Sequence, residues 1–130
     1  MNVVLDTNIL ISAVWSPGRN ASDLLNTVFA RKFMVCYDHR ILEEYDRVLH
    51  YPKFGFSEWE INALLDPLVK NGLSVVADPV TNISFERDET DRKFYEVAMY
   101  CGAVLITGNL KHYPQENFIM DMSGFIGKYM

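Results

Sequence analysis

The side chains of this 130-residue chain with the most chemical promise are its carboxylates. Asp6 closes the apolar run Val3-Val4-Leu5 and opens Thr7-Asn8-Ile9-Leu10. An aspartate is poor inside a strand but well placed at its mouth, where open parallel sheets bind ligands. It either caps the helix that follows or lends its charge to a site. A second group follows Asp38, where Ile41, Leu42, Tyr45, Val48 and Leu49 make a helical stripe. At about 100° per residue, Glu43 falls on the solvent side, and Glu44 and Asp46 fall on opposite borders of the stripe. The wheel does not choose between those two. Asp91 lies within the arc of Phe94, Ala98 and Cys101, so it should face the sheet, and a buried carboxylate needs partners. The plainer reading of Asp91 is a charge complementing its helix N-terminus. Asp88 and Glu89 stand just upstream, on a loop or at the cap.

Several carboxylates at one end of a sheet repel one another and hold their protons more tightly than usual. A divalent cation resolves that conflict, and hard oxygen ligands favour Mg2+ or Mn2+. Convergent acids with such an ion commonly serve phosphodiester hydrolysis. Other chemistries lack their residues. Thr107-Gly108-Asn109 has a single glycine and no Lys-Ser/Thr pair after it, so it is no phosphate loop. His39, His50 and His112 show no zinc spacing, and no nucleophile elbow or Cys–His pairing is visible.

The elements that must position these acids are legible from periodicity. Apolar runs at 3–5, 33–37, 73–77, 103–106 and 118–120 predict short strands of the kind buried on both faces. Between them lie helical stripes. Ala21, Leu24, Leu25, Val28 and Phe29 form one, with Ser22 as its cap candidate. Ser57-Glu58-Trp59-Glu60 is a capping-box pattern ahead of Ile61, Leu64, Leu65 and Leu68. Pro67 is expected to kink or split that helix, and Gly72 to end it. Phe94, Val97, Ala98 and Cys101 make a further stripe, closed by Gly102. Strands alternating with helices predict an α/β fold around a parallel sheet, and the length suits one domain.

Composition narrows the function. With 49% hydrophobic and 22% charged residues the chain is neither disordered nor low-complexity. Twelve basic against seventeen acidic residues give a net charge of −5, which argues against a protein that coats nucleic acid by electrostatics. It leaves room for a nuclease whose acids are offset by bound cations. No membrane span or signal peptide is expected. Cys36 and Cys101 form no CxxC pair, so a reduced, cytoplasmic setting is the simpler expectation. Trp15, Trp59, Phe54 and Phe56 make a homodimer through a helical face one further expectation.

In this order the motifs resemble the PIN-domain family of nucleases, especially the toxin components of bacterial toxin–antitoxin pairs. Val3-Val4-Leu5-Asp6-Thr7-Asn8-Ile9-Leu10 looks like the family's opening strand and first acid. Ile41-Leu42-Glu43-Glu44-Tyr45 with Val48-Leu49 looks like the second motif, and there the acid falls on Glu44. Asp88-Glu89-Thr90-Asp91-Arg92-Lys93-Phe94 with Ala98 is similar to the third, with the helix-borne acid at Asp91 and an auxiliary one at Asp88. Leu105-Ile106-Thr107-Gly108-Asn109 resembles the fourth, where many relatives carry aspartate and this chain has Asn109. The resemblance covers nearly the whole chain. It implies a single PIN-like α/β domain over residues 1–130, a five-stranded parallel sheet flanked by helices.

The activity implied is that of a metal-dependent endoribonuclease using Mg2+ or Mn2+, with RNA as substrate and a cognate antitoxin as protein partner. Asp6, Glu44 and Asp91 would hold the metal, and Asp88 would assist catalysis. Thr7, Asn8, Thr107 and Asn109 would support them by hydrogen bonds. Arg19, Arg92, Lys93, Lys111 and His112 are candidates for RNA-phosphate contacts. A haloacid-dehalogenase-type phosphotransferase needs a second acid two residues after the first, where this chain has Asn8. A receiver domain needs a lysine near its fifth strand, and none follows Phe118-Ile119-Met120 in place. A non-catalytic PIN-like binding module with a degenerate metal site is the alternative that Asn109 keeps open.

Overall fold

The run Val3-Val4-Leu5 becomes the middle of the sheet. In the computed structural model, which describes residues 1–16, 20–30, 32–85 and 89–130, β1 (Asn2–Leu5) pairs with β2 (Met34–Tyr37) on one side. On the other side it pairs with β4 (Val104–Ile106). β3 (Leu73–Ser74) flanks β2 and β5 (Ile119–Met120) flanks β4, so the order is β3-β2-β1-β4-β5, all parallel. Strands covered on both faces must be apolar throughout, and Val3, Val4, Leu5, Leu105 and Ile106 are fully buried.

β3 departs from the expected buried strand. Leu73 and Ser74 are exposed and Val76 is 83% exposed, because this short strand lies at the sheet edge. Edges are kept short for good reason, since their open backbone groups invite pairing with other chains.

The helices are α1 (Thr7–Trp15), α2 (Asn20–Phe29), α3 (His39–Leu49), α4 (Glu58–Asn71), α5 (Arg92–Cys101) and α6 (Met122–Tyr129). Among the described residues none is long and apolar enough to cross a membrane. Ser57 and Glu60 form the reciprocal capping box at the start of α4. α4 then runs unbroken through Pro67, against the expected split. Leu64 and Leu65 before the proline and Leu68 after it are all buried, so packing on both sides outweighs the missing hydrogen bond. Ser22 is no cap, since α2 already begins at Asn20. α6 follows β5 with Asp121 accepting from the Gly124 N–H at 2.8 Å, a helix the periodicity did not announce.

Two ties orient the elements that carry the acids. Tyr45 of α3 is fully buried and its hydroxyl donates to the Leu5 carbonyl at the end of β1. Asp38 caps α3 by accepting from the Ile41 N–H at 3.0 Å, and it pairs with Arg40 at 2.7 Å. Arg40 also reaches the buried Glu96 of α5 at 2.8 Å. The second oxygen of Glu96 accepts from the Val80 N–H at 2.7 Å, which fastens the segment before α5. Elsewhere Trp15 meets Phe54 edge-on at 4.9 Å between ring centres, and Trp59 stands exposed on α4.

Candidate active site

The chain steps outward from β1 through β2 to β3 and then crosses back to β4 on the other side of β1, so the crevice between the carboxyl ends of β1 and β4 is where such a sheet binds ligands. Register decides which residues stand there. Leu5 pairs with Ile106, and the Asp6 N–H donates to the Ile106 carbonyl at 3.0 Å, so Asp6 and Thr107 emerge side by side. Asp6 occupies the cap position of α1, yet its side chain makes no capping bond. Its Oδ2 instead accepts from the Thr107 hydroxyl at 2.8 Å and from the Tyr113 hydroxyl at 3.0 Å. Burial raises the pKa of the Asp6 carboxyl above its ordinary value. The Thr107 and Tyr113 hydrogen bonds work against that rise, and the Glu44 charge adds to it.

The ambiguity on α3 resolves in space. Glu44 turns inward, taking a hydrogen bond from the Thr7 hydroxyl and an ion pair from Lys93 Nζ at 2.7 Å. Glu43 is exposed and pairs with Arg47, and Asp46 is exposed beside His50. Tyr45, pinned on Leu5, sets the rotation of the helix that brings its neighbour Glu44 to Asp6.

Asp91 ends a short 3-10 turn, Glu89–Asp91, and is buried at the start of α5 without capping it. Its Oδ2 stands 3.1 Å from His112 Nδ1. Burial pushes the Tyr113 phenol well above its usual range, and the charges of Asp6, Asp91 and Glu44 push it further. Tyr113 thus touches Asp6 and feels the charge of all three acids. Tyr113 was missed in the sequence. It sits in irregular chain after the turn Leu110–His112, where no periodicity marks a buried position.

The remaining candidates fall into distinct places. Thr107 is fully buried, donating to Asp6 and accepting from the Asn109 N–H at 3.0 Å. Asn8 Oδ1 accepts from the Gly108 N–H at 3.1 Å, which ties α1 to the turn after β4. Asn109 itself is exposed. Arg92 bonds to Glu89 and to the Val80 and Ile83 carbonyls, which fixes it as a brace for the chain before α5. Lys93 lies on Glu44 and His112 on Asp91, whereas Lys111 is exposed. Arg19 and Asp88 lie outside the described residues. A cleft of about 670 Å³, lined by Asn8, Ser12, Gly108, Asn109 and Met122, opens beside the site. A second, of about 410 Å³, shares Gly108 and Asn109 and extends past Lys111 and His112.

The carboxylates are the hard oxygen donors that Mg2+ and Mn2+ prefer, so the donor chemistry fits such an ion. Among the described residues, no three His, Cys, Asp or Glu side chains are grouped so as to hold one together. Lys93 engages Glu44 and His112 engages Asp91, the chain's own basic groups meeting two of the three acids.

The fold is a parallel α/β sheet with the buried Asp6 at its switch point. The sequence pattern of the PIN domain matches residues 2–111, and the chain belongs to the PIN domain family. An uncharacterized protein of Methanocaldococcus jannaschii, MJ1680, is 34% identical over 110 residues, which span 84% of this chain and 71% of that protein. Among solved structures, the crystal structure of VapBC2 from Rickettsia felis bound to a DNA fragment from its promoter shares the fold. Its TM-score is 0.58 at 16% identity, covering 93% of this chain and 98% of that one.

Proposed function

We propose that the protein is a metal-dependent endoribonuclease that hydrolyses RNA phosphodiester bonds, the toxin component of a toxin–antitoxin pair. The observation that carries this reading is Asp6, buried at the mouth of the β1–β4 crevice, held there by Thr107 and Tyr113 and within reach of the Glu44 charge. Membership of the PIN domain family supports a nuclease. The fold shared with VapBC2 supports a cognate antitoxin as partner.

In this reading Asp6, Asp91 and Glu44 are the residues that hold Mg2+ or Mn2+, with Asp88 assisting. Such an ion supplies charge for the scissile phosphate and lowers the pKa of water. The chain's own groups do the positioning. Thr107 and Tyr113 hold Asp6 by one oxygen and favour its ionised form, and Thr7 holds Glu44. Asn8 locks the Gly108 turn beside the cleft, and Lys111, exposed on the cleft lining, would meet an RNA phosphate in this reading. The test is cleavage of mixed RNA in Mg2+ or Mn2+ with a chelator control, alongside Asp6→Asn, Glu44→Gln and Asp91→Asn. Cleavage abolished by chelator and by each substitution is expected. Metal-independent cleavage, or full activity in Asp91→Asn, overturns the assignment. RNA binding without cleavage would favour the non-catalytic module that the neutral, exposed Asn109 suggests.

A further inference from the structure

We propose that the cleft of about 670 Å³ beside the site holds one unpaired nucleobase of the RNA, read by the side-chain amides of Asn8, Asn20 and Asn109. The inference rests on the ribonuclease reading above and names where that substrate is recognised. α1 and the start of α2 line the cleft through Asn8, Ser12 and Asn20, and the turn after β4 lines it through Gly108 and Asn109. The buried Ile9 and Ala21, with Met122, add apolar surface. No charged side chain stands among the described residues of this lining, in a chain where 22% of residues are charged. A phosphate would find no cation there. A planar, uncharged ligand finds apolar area for its faces and neutral hydrogen-bonding groups for its edge.

These amides are not spent on the fold. Asn8 uses Oδ1 alone, accepting from the Gly108 N–H at 3.1 Å, and its Nδ2 has no partner among the described residues. The side chains of Ser12, Asn20 and Asn109 bond to no described residue either, although Asn109 is held by its backbone. An amide carries a donor beside an acceptor, the pattern that matches the donor–acceptor edge of adenine. Position joins this subsite to the chemistry. The Asn109 N–H donates to Thr107 Oγ1 at 3.0 Å, and the same hydroxyl donates to Asp6 at 2.8 Å, so the cleft wall is fastened to the buried acid. The Gly108–Asn109 turn also borders the cleft that carries Lys111, His112 and Asp121. One turn is thus shared by a neutral cleft, suited to a base, and a charged one, suited to the backbone. The neutral residue of the fourth motif gains a reason from this: an aspartate at position 109 would accept only, and the donor half of the pattern would be lost.

The test is titration of the full 15N-labelled chain with adenosine and, separately, with ribose 5-phosphate, followed by NMR on the side-chain amide signals. Adenosine is a base without a phosphate, and ribose 5-phosphate is a phosphate without a base. Adenosine is expected to bind weakly and to shift the Asn20 amide signals, which ribose 5-phosphate leaves in place. Asn20→Leu and Asn109→Leu are each expected to weaken adenosine binding by about fivefold, the worth of one hydrogen bond. No shift at Asn20 with adenosine, an equal shift with ribose 5-phosphate, or unchanged adenosine affinity in both variants overturns the proposal. A cleft reserved for a peptide of a protein partner would give the first of these results. If a variant fails to melt cooperatively, the wild-type comparison of the two probes decides alone. RNA cleavage is followed in parallel. Adenosine bound as expected without cleavage overturns the nuclease reading alone, and metal-dependent cleavage without adenosine binding overturns the cleft assignment alone.

Discussion

Tyr113 donates to the same Asp6 oxygen as Thr107, and its own phenol is held protonated by burial and by the three surrounding acids. It is therefore a fixed donor. Removing the hydroxyl leaves Asp6 with one stabilising bond fewer, so its carboxyl should hold a proton to higher pH. If the proposed nuclease reading holds, Tyr113→Phe is expected to lower cleavage by about 10–100-fold at neutral pH, the usual effect of losing a group that orients a metal ligand. The acidic limb of the pH–rate profile should move to higher pH, and an unmoved limb would remove Tyr113 from this role. The same burial has a thermodynamic sign. The folded-state pKa of Asp6 lies above its ordinary value of 3.8, so the native state binds its proton more readily than the unfolded chain does. Its contribution to stability is then fully present below pH 3.8 and is lost as the pH rises through the folded value. Asp6→Asn, which keeps an acceptor for Thr107 and Tyr113, should stabilise the protein at pH 7 by about 1 kcal/mol, a few degrees in melting temperature. The gain should vanish in melts near pH 3, and a gain independent of pH would refute the cause.

At the scale of elements, close approach matters as much as propensity. Gly72 ends α4 with an extended backbone that any residue adopts, φ −85° and ψ −179°. Its constraint is space: a Cβ there would lie 2.5 Å from the Leu68 carbonyl oxygen and 2.7 Å from that of Val35. Both neighbours are backbone and neither can turn aside, so Gly72→Ala should destabilise the fold by about 2–3 kcal/mol in urea unfolding. A change below about 0.5 kcal/mol would show that the α4–β2 contact is looser than this. The helix end was legible in the sequence, whereas the reason for glycine there was not. The same division runs through the chain. β1, β2, β4 and the helix from Asp38 were readable because their apolar periods continue without interruption. The presence of β3 was readable too, but its exposure was not, since an edge strand of two residues carries no period that distinguishes it from a buried one. α6 was hidden by Gly124 and Gly127, which break its stripe, and its Asp121 cap was the available signal. Of the proposed site, the sequence named Asp6, Glu44 and Asp91, and Asp6 and Asp91 are buried as a strand mouth and an inward helix face imply. The helical wheel left Glu44 and Asp46 open and the family resemblance chose Glu44; that Glu44 turns inward while Asp46 is exposed is a tertiary fact no wheel contains.

For the whole molecule the decisive quantities are net charge and the depth of the acids. A chain of net charge −5 draws little affinity from phosphates at a distance, so whatever substrate it takes must reach the acids by shape and flexibility. Asp6 is 6% exposed and Asp91 9% exposed, both sunk at the mouth of the crevice beside the turn that carries Asn109, Lys111 and His112. A duplex presents its phosphates on a stiff rail, and bringing one into contact with buried carboxylates would press the rest of the helix against that turn. A single strand or a loop can bend so that one phosphate enters while its neighbours follow the two clefts that share Gly108 and Asn109. A hairpin RNA with a loop of mixed sequence should therefore be cut in the loop, at least about tenfold faster than in its stem. Raising the salt from 50 to 200 mM should slow loop cleavage only modestly, because few counterions are released by a surface this acidic. Equal rates in loop and stem, mapped on end-labelled RNA under single-turnover conditions, would mean that the acids are reached without bending the strand, and the buried crevice would then not be the path the substrate takes.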